Sequence, residues 1–162
     1  MNGRSLVVPT MFLRAAIVLI GVGAFALMLW EPHVEGRNAH ATLFEIYFKD
    51  PFLAYAYLAS IPFFVALHRA FRVLAYVGRN QAVSQATLTA LRTVRSCALA
   101  VVGLVAGAEL FIMLGDSDDR AGGVAIGILI AFGSAVVSAA AAMFERLVQH
   151  AMDRTSKNEP TG

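Results

Sequence analysis

Four long apolar stretches, separated by polar segments, set the pattern of this chain. They cover residues 12–30, 52–77, 96–115 and 122–148. A membrane-spanning helix needs roughly 20 consecutive apolar residues. In hydrocarbon, the backbone of such a run can satisfy its hydrogen bonds only as a helix, because barrel strands are shorter and alternate in polarity. The pattern predicts an all-α fold, a four-helix transmembrane bundle with antiparallel, up-down connections.

Capping residues predict where the second and third helices begin and end. Pro51 is favoured in the first turn of a helix, and Gly78 is typical of a helix end. Asn80 or Ser84 can cap the helix that follows. Pro62 lies within the second apolar stretch and lacks an N–H, so we expect a kink near the middle of the membrane.

The composition agrees with a bilayer rather than water as the solvent. Hydrophobic residues make up 58% of the chain and charged residues 15%, and the mean hydropathy is +0.66. A soluble domain carries roughly 25% charged residues. The single cysteine, Cys97, excludes an intramolecular disulfide. We expect one integral membrane domain over residues 1–155 and a disordered cytoplasmic tail over residues 156–162.

Lysine and arginine are unevenly distributed between the two sides of such a bundle. Of the 13 basic residues, one side holds Arg37, Lys49 and Arg120, and the other holds Arg4, Arg14, Arg69, Arg72, Arg79, Arg92, Arg95, Arg146, Arg154 and Lys157. Basic residues accumulate in cytoplasmic segments of membrane proteins. The bias predicts an inner-membrane protein with both termini in the cytoplasm.

Five arginines surround the connection between the second and third helices: Arg69, Arg72, Arg79, Arg92 and Arg95. Such a cluster can bind anionic lipid headgroups or an acidic partner protein. The alternative is that it serves only to fix the topology. The net charge of +2 is too small to indicate nucleic acid. We therefore expect the bilayer and a protein as partners, and no direct contact with nucleic acid.

Small residues recur on the third and fourth apolar stretches. The positions are Gly103 and Gly107, then Gly123, Gly127, Ala131, Ala135 and Ala139. Small residues at four-residue spacing let helix backbones approach closely in a membrane. We expect the third and fourth helices to pack through them, and a homodimer through the same surface is the alternative.

Glu109 is the carboxylate that lies deepest within a predicted span. Tyr57 and Ser60 on the second helix lie at a comparable depth, and no basic residue does. Without a cationic partner, the neutral acid is favoured in hydrocarbon. We expect protonated Glu109 to donate a hydrogen bond to the Leu58 carbonyl or to Ser60. A proton or cation relay, or a shallower position in contact with water, is the alternative.

Sequence motifs of enzymes are missing from the chain. It has no HExxH, GxSxG, Walker or Gly-rich dinucleotide pattern. Its four histidines fall two to each side of the predicted bundle, without metal-ligand spacing: His33, His40, His68 and His150. We predict a protein that is not an enzyme and has no cofactor and no metal.

Several short stretches resemble the YoaS-like family of bacterial proteins of unknown function, domain-of-unknown-function group 2975. They are IPFFVAL at residues 61–67, AF at 70–71, NQAVS at 80–84, AL at 90–91, CA at 97–98 and DD at 118–119. The resemblance covers about residues 50–155. It implies a four-helix bacterial membrane protein without assigned catalytic residues.

Members of that family are often encoded beside a small helix-turn-helix regulator. The resemblance therefore implies a membrane partner or sensor that acts on a cytoplasmic transcriptional regulator. The leading hypothesis is that the arginine-rich hairpin docks such a protein. The alternative is a small proton-linked transporter or channel that uses Glu109.

Overall fold

The computed structural model describes residues 4–34, 42, 44, 51–114 and 120–158, and four long helices account for nearly all of them. We number them α1 (Arg4–Val34), α2 (Pro51–Gly78), α3 (Gln85–Leu114) and α4 (Arg120–Asn158). No strand occurs among the described residues, and the predicted all-α class is confirmed.

Each helix contains a segment that is long and apolar enough to cross a membrane. These segments are Pro9–Trp30, Leu53–Gly78, Gln85–Leu114 and Gly122–Lys157. The predicted number of spans is confirmed. The protein is therefore a four-helix membrane protein, with bounds close to prediction for α2 and wider than predicted for the other three helices.

The helices α3 and α4 are longer than the hydrocarbon they have to cross. With 30 and 39 residues, they reach about 45 Å and 58 Å at 1.5 Å per residue. The hydrocarbon core is only about 30 Å thick. α4 continues to Asn158, so residues 156–158, which we expected in a disordered tail, are helical. Both helices are therefore longer than the hydrocarbon core is thick.

Pro62 lies inside α2, and the helix continues on both sides of it. Because proline has no N–H, the Leu58 carbonyl lacks its usual helical hydrogen bond. Ser60 on the same turn donates its hydroxyl hydrogen to the Tyr57 carbonyl at 2.7 Å. The expected kink at Pro62 stays a prediction.

The end of α2 is set by Asn80 rather than by Gly78. Asn80 has a φ of 57°, in the left-handed region. Its N–H donates to the Val77 carbonyl at 3.1 Å, and the Gln81 N–H donates to the Tyr76 carbonyl at 2.8 Å. These two bonds form the Schellman motif, which satisfies the last carbonyls of a helix. Asparagine tolerates this backbone conformation better than most residues with a side chain.

Ser84 caps α3, one of the two residues that the sequence offered for this role. Its hydroxyl oxygen accepts a hydrogen bond from the Thr87 N–H at 3.2 Å and lies 3.0 Å from the Thr87 hydroxyl oxygen. The Thr87 hydroxyl donates to the Gln81 carbonyl at 3.1 Å. Thr87 is buried. The turn between α2 and α3, residues 79–84, is therefore fixed at both ends by hydrogen bonds.

Consecutive helices pack against each other, most extensively α3 against α4, then α2 against α3, and least α1 against α2. The α1–α2 contact is close at Gly21, where a Cβ would lie 2.9 Å from Leu67 Cδ2. The rings of Phe25 and Phe64 meet edge to face nearby, with centroids 6.3 Å apart.

The most deeply buried apolar side chains gather at one end of the molecule. Six of them lie on α3 between residues 88 and 101 and one lies on α4: Leu88, Ala90, Leu91, Val94, Ala98, Val101 and Ala141. Many apolar side chains of the spans face outward, as lipid-facing residues do, because a lipid tail is as apolar as a neighbouring helix. The first part of α3, residues 85–95, precedes the predicted hydrocarbon segment and is packed like a soluble protein, so we call it the packed extension.

Candidate functional site

We call one end of the molecule the basic end. It comprises the last turns of α2, the turn 79–84 and the first turns of α3. Arg72 and Arg79 are exposed there, and Arg69 is half-buried. Arg72 donates to the Tyr76 hydroxyl at 2.9 Å, and its guanidinium carbon lies 5.7 Å from the centre of the Tyr76 ring. The Arg72 side chain is therefore held in place by Tyr76, one turn further along α2.

Glu145 of α4 holds the other two arginines of the predicted cluster. Arg92 Nε donates to Glu145 Oε1 at 2.8 Å, and Arg95 Nη1 lies 3.6 Å from Glu145 Oε2. The Glu145 side chain is 13% exposed, whereas the two arginine side chains are 50% and 49% exposed. One carboxylate thus neutralises part of the charge of Arg92 and Arg95 and ties α3 to α4.

Glu145 was not predicted as a partner of these arginines. One available signal was an acid in the last span, three residues from its predicted inner end, on a side otherwise rich in arginine. An unpaired carboxylate inside a span is unfavourable in free energy. An acid on the side of the membrane where arginines accumulate therefore indicates a local ion pair.

Glu109 does not reach α2, contrary to expectation. Its carboxyl group lies against Gly127 of α4, where a Cβ would overlap Glu109 Oε1 and lie 2.6 Å from Glu109 Cδ. Among the described residues, the buried Oε2 atom has no hydrogen-bond partner. Gly127 has no side chain, so it leaves a notch on α4 that admits the carboxyl group. The expected hydrogen bond to the Leu58 carbonyl or to Ser60 is therefore wrong.

The polar groups of α2 at this depth turn to other partners. The Tyr57 hydroxyl donates to the Met28 carbonyl of α1 at 2.9 Å. Ser60 bonds within its own helix, as described above. The structure therefore does not bring Glu109, Tyr57 and Ser60 together as a site.

Tyr55, which the sequence analysis did not single out, joins α2 to α3. Its hydroxyl donates to the Leu104 carbonyl at 2.6 Å. The same hydroxyl oxygen would lie 2.9 Å from a Cβ at Gly107. Gly107 thus makes room for a tyrosine of α2 rather than for the backbone of α4.

The other small residues fall into two groups. Gly123 faces Ile112 of α3, with the Ile112 Cδ1 atom 3.5 Å from the position of a Cβ, and Gly127 faces Glu109. Ala131 is half-buried on the same helix. Gly103 has no atom within 4 Å of the position of a Cβ, among the residues that the structure describes. A homodimer through these residues stays a prediction.

The seam of α4 that is covered by α3 alternates spacings of four and three residues. It runs through Gly127, Ala131, Ser134, Ser138, Ala141 and Glu145, which are buried or half-buried. Ala135 and Ala139, at the predicted spacing of four, are exposed. Each step of four residues drifts by about 40° around a helix of 3.6 residues per turn, so a strict four-residue ridge leaves the contact face.

In the described part of the chain, no three His, Cys, Asp or Glu side chains come together as a candidate metal site. Cys97 is a free, half-buried thiol. The remaining candidate surfaces are therefore the basic end and the notch that holds Glu109.

The fold and these surfaces define a class, that of helical membrane proteins with four spans and one strongly basic end. Residues 37–161 match the model of a family described as "Protein of unknown function (DUF2975)". The chain belongs to this family, which confirms the resemblance seen in the sequence.

A relative from Bacillus subtilis (strain 168), described as "Uncharacterized membrane protein YoaS", is 34% identical over 154 residues. The alignment covers 94% of this chain and 96% of the relative. No solved structure matches the chain.

Proposed function

We propose that this protein is a non-enzymatic membrane partner whose basic end docks the acidic surface of a cytoplasmic protein. A helix-turn-helix regulator is the kind of partner that the family resemblance implies. In this proposal the protein lies in a bacterial inner membrane with both termini in the cytoplasm. The arginine and lysine bias of the sequence supports that orientation.

The single observation that carries the proposal is the packed extension of α3. Thr87, Leu88, Leu91 and Val94 are buried in a part of the helix that precedes the predicted hydrocarbon segment. A connection that served topology alone would need only a few polar residues. Here a core excludes water beside the arginines, so they are displayed on a rigid surface instead of a mobile loop.

The arginines that suit a docking test best are Arg72 and Arg79. Both are exposed, and neither has an ion pair among the described residues. Arg92 and Arg95 suit it less well, because reversing their charge would also set two new carboxylates against Glu145. A loss of binding in that variant would mix docking with damage to the α3–α4 contact.

The test is quantitative affinity capture of the tagged protein from native membranes in mild detergent, followed by mass spectrometry. The double variant Arg72→Glu/Arg79→Glu is expected to reduce recovery of the partner at least tenfold, since each reversal replaces an attraction by a repulsion. The matched control is Arg154→Glu/Lys157→Glu, which makes the same change of net charge on exposed residues of α4.

The control is expected to retain the partner within twofold. Equal recovery with wild type and with Arg72→Glu/Arg79→Glu would contradict the docking surface. Equal loss with both double variants would point to non-specific attraction by net charge and would also contradict it.

A second function is favoured by the notch that holds Glu109. A half-buried carboxyl group with one buried oxygen lacking a partner among the described residues has the capacity to exchange a proton or to hold a cation. We therefore propose a small proton-linked transporter or channel as the alternative. It differs from docking because it needs no partner protein.

If Glu109 carries flux, Glu109→Gln is expected to lower proton flux at least tenfold in liposomes that contain a pH-sensitive dye. Glutamine has the size of glutamate, so the packing against Gly127 is retained while proton exchange is lost. Asp153→Asn, the same chemical change at an exposed position, is the control. Equal flux for Glu109→Gln and wild type, above that of empty liposomes, would rule out the Glu109 pathway.

A further inference from the structure

An open apolar groove of about 480 Å³ lies between α1 and α2. Its walls are side chains of α1 between Ile17 and Phe25 and of α2 between Phe64 and Phe71. The groove follows nine residues of α1, a length of about 12 Å at 1.5 Å per residue. Half of a hydrocarbon core of about 30 Å is about 15 Å. The groove is therefore shorter than one leaflet of the bilayer is thick.

The two ends of the groove differ in chemistry. The end far from the basic end lies at the edge-to-face contact of Phe25 with Phe64, whose ring centroids are 6.3 Å apart. Toward the basic end, the exposed His68 lines the groove together with Phe71. The groove thus has a polar end, which faces the basic end of the molecule, and an apolar end at the Phe25–Phe64 contact.

Arg14 lies beside that polar end, one turn before Ile17 on α1. Its guanidinium carbon is 5.5 Å from the centre of the Phe71 ring. A terminal nitrogen is 3.7 Å from the position that a Cβ of Gly78 would take. The cation is therefore held against the end of α2.

Among the described residues, no carboxylate pairs with Arg14, since the ion pairs found there are those of Arg92 and Arg95 with Glu145. A cation placed at the membrane surface without a counter-charge favours an anion at the same depth. Phospholipid phosphates lie at that depth, and the groove continues from it into the hydrocarbon.

We propose that this groove binds one acyl chain of an anionic phospholipid, with the phosphate of that lipid beside Arg14. The apolar walls contact the chain, and the Arg14 guanidinium selects the headgroup. The inference does not rest on the docking function, because it concerns α1 and α2 and needs no protein partner.

The test is native mass spectrometry of the full-length protein in detergent, titrated with phosphatidylglycerol and with phosphatidylcholine of identical acyl chains. Wild type is expected to bind one phosphatidylglycerol about fivefold more tightly than phosphatidylcholine, the preference that one basic residue near a membrane surface gives. Equal affinity for the two lipids would overturn the proposal.

Two kinds of variant separate headgroup from chain. Arg14→Gln is expected to abolish the fivefold preference, and Arg14→Lys to keep most of it. Val18→Trp, whose larger side chain fills the groove, is expected to lower the affinity for both lipids at least fivefold. The control is Arg154→Gln, which removes the charge of an exposed residue of α4 and is expected to change neither affinity.

Circular dichroism of each variant shows whether the helices are intact, and the lysine variant keeps the headgroup test valid if the glutamine variant misfolds. An unchanged preference in Arg14→Gln would overturn the proposal. A dimer that Val18→Trp disrupts while lipid binding persists would also overturn it, because the groove would then be an interface between two copies.

Discussion

Replacing Gly127 by alanine is expected to lower the free energy of unfolding by about 1–3 kcal/mol, the usual cost of inserting a methyl group into a well-packed core. The added Cβ would occupy the space of the Glu109 carboxyl group. Either that carboxyl group must move from the notch, or α4 must move away from α3. Thermal unfolding in detergent, followed by circular dichroism, measures the effect.

Gly133→Ala is the matched control on the same helix. In the described part of the protein, no atom lies within 4 Å of the position of its Cβ. Because alanine favours a helix over glycine by about 1 kcal/mol, this variant should be neutral or more stable. In the Glu109→Ala protein, where the carboxyl group is absent, adding Gly127→Ala should lower the free energy of unfolding much less than it does in wild type. Equal stability of the Gly127 and Gly133 variants would mean that the notch does not hold the carboxyl group.

Glu145→Lys is expected to lower the free energy of unfolding by about 2 kcal/mol and to loosen the basic end. Breaking a fully buried ion pair costs about 3–5 kcal/mol. Water screens the half-exposed arginines, which reduces that figure. The new lysine would also face Arg92 and Arg95 at short range. Hydrogen exchange of the first turns of α3, together with thermal unfolding, reports the change.

Arg146→Glu, at the exposed neighbouring position, is expected to change stability by less than about 0.5 kcal/mol. The swap Arg92→Glu/Glu145→Arg should restore part of what Glu145→Lys loses, because it rebuilds one opposite-charge pair. If Glu145→Lys were as stable as Arg146→Glu, the contact of Glu145 with the two arginines would contribute nothing to the fold.

The spans could be predicted from the sequence because a membrane imposes one strong requirement, an apolar run of sufficient length. For α2 the predicted residues 52–77 compare with Pro51–Gly78 in the structure. For α3 the same rule gave a span that begins at residue 96, whereas the helix begins at Gln85, next to the cap at Ser84 that the sequence offered. The missing residues are amphipathic, with Thr87, Leu91 and Val94 at spacings of four and three. Apolar length does not detect such a helix, whereas the periodic pattern of soluble helices does.

The partners of polar side chains were much harder to predict. Depth in the membrane can be counted along the sequence, and Glu109, Tyr57 and Ser60 are indeed on adjacent helices. The direction in which each side chain points depends on the rotation of its helix, which small differences in packing decide. The available clue for Glu109 was Gly127, a notch on the helix that packs most extensively against α3.

The packed extension of α3 has a consequence for calorimetry. The large heat capacity of unfolding in soluble proteins comes from hydration of apolar groups newly exposed to water. Side chains of the spans stay in lipid or detergent when the helices separate, so their hydration hardly changes. Apolar residues packed before the predicted hydrocarbon segment, such as Leu88, Leu91 and Val94, do gain water. The curvature of the free energy of unfolding as a function of temperature therefore reflects that small cluster rather than the length of the chain.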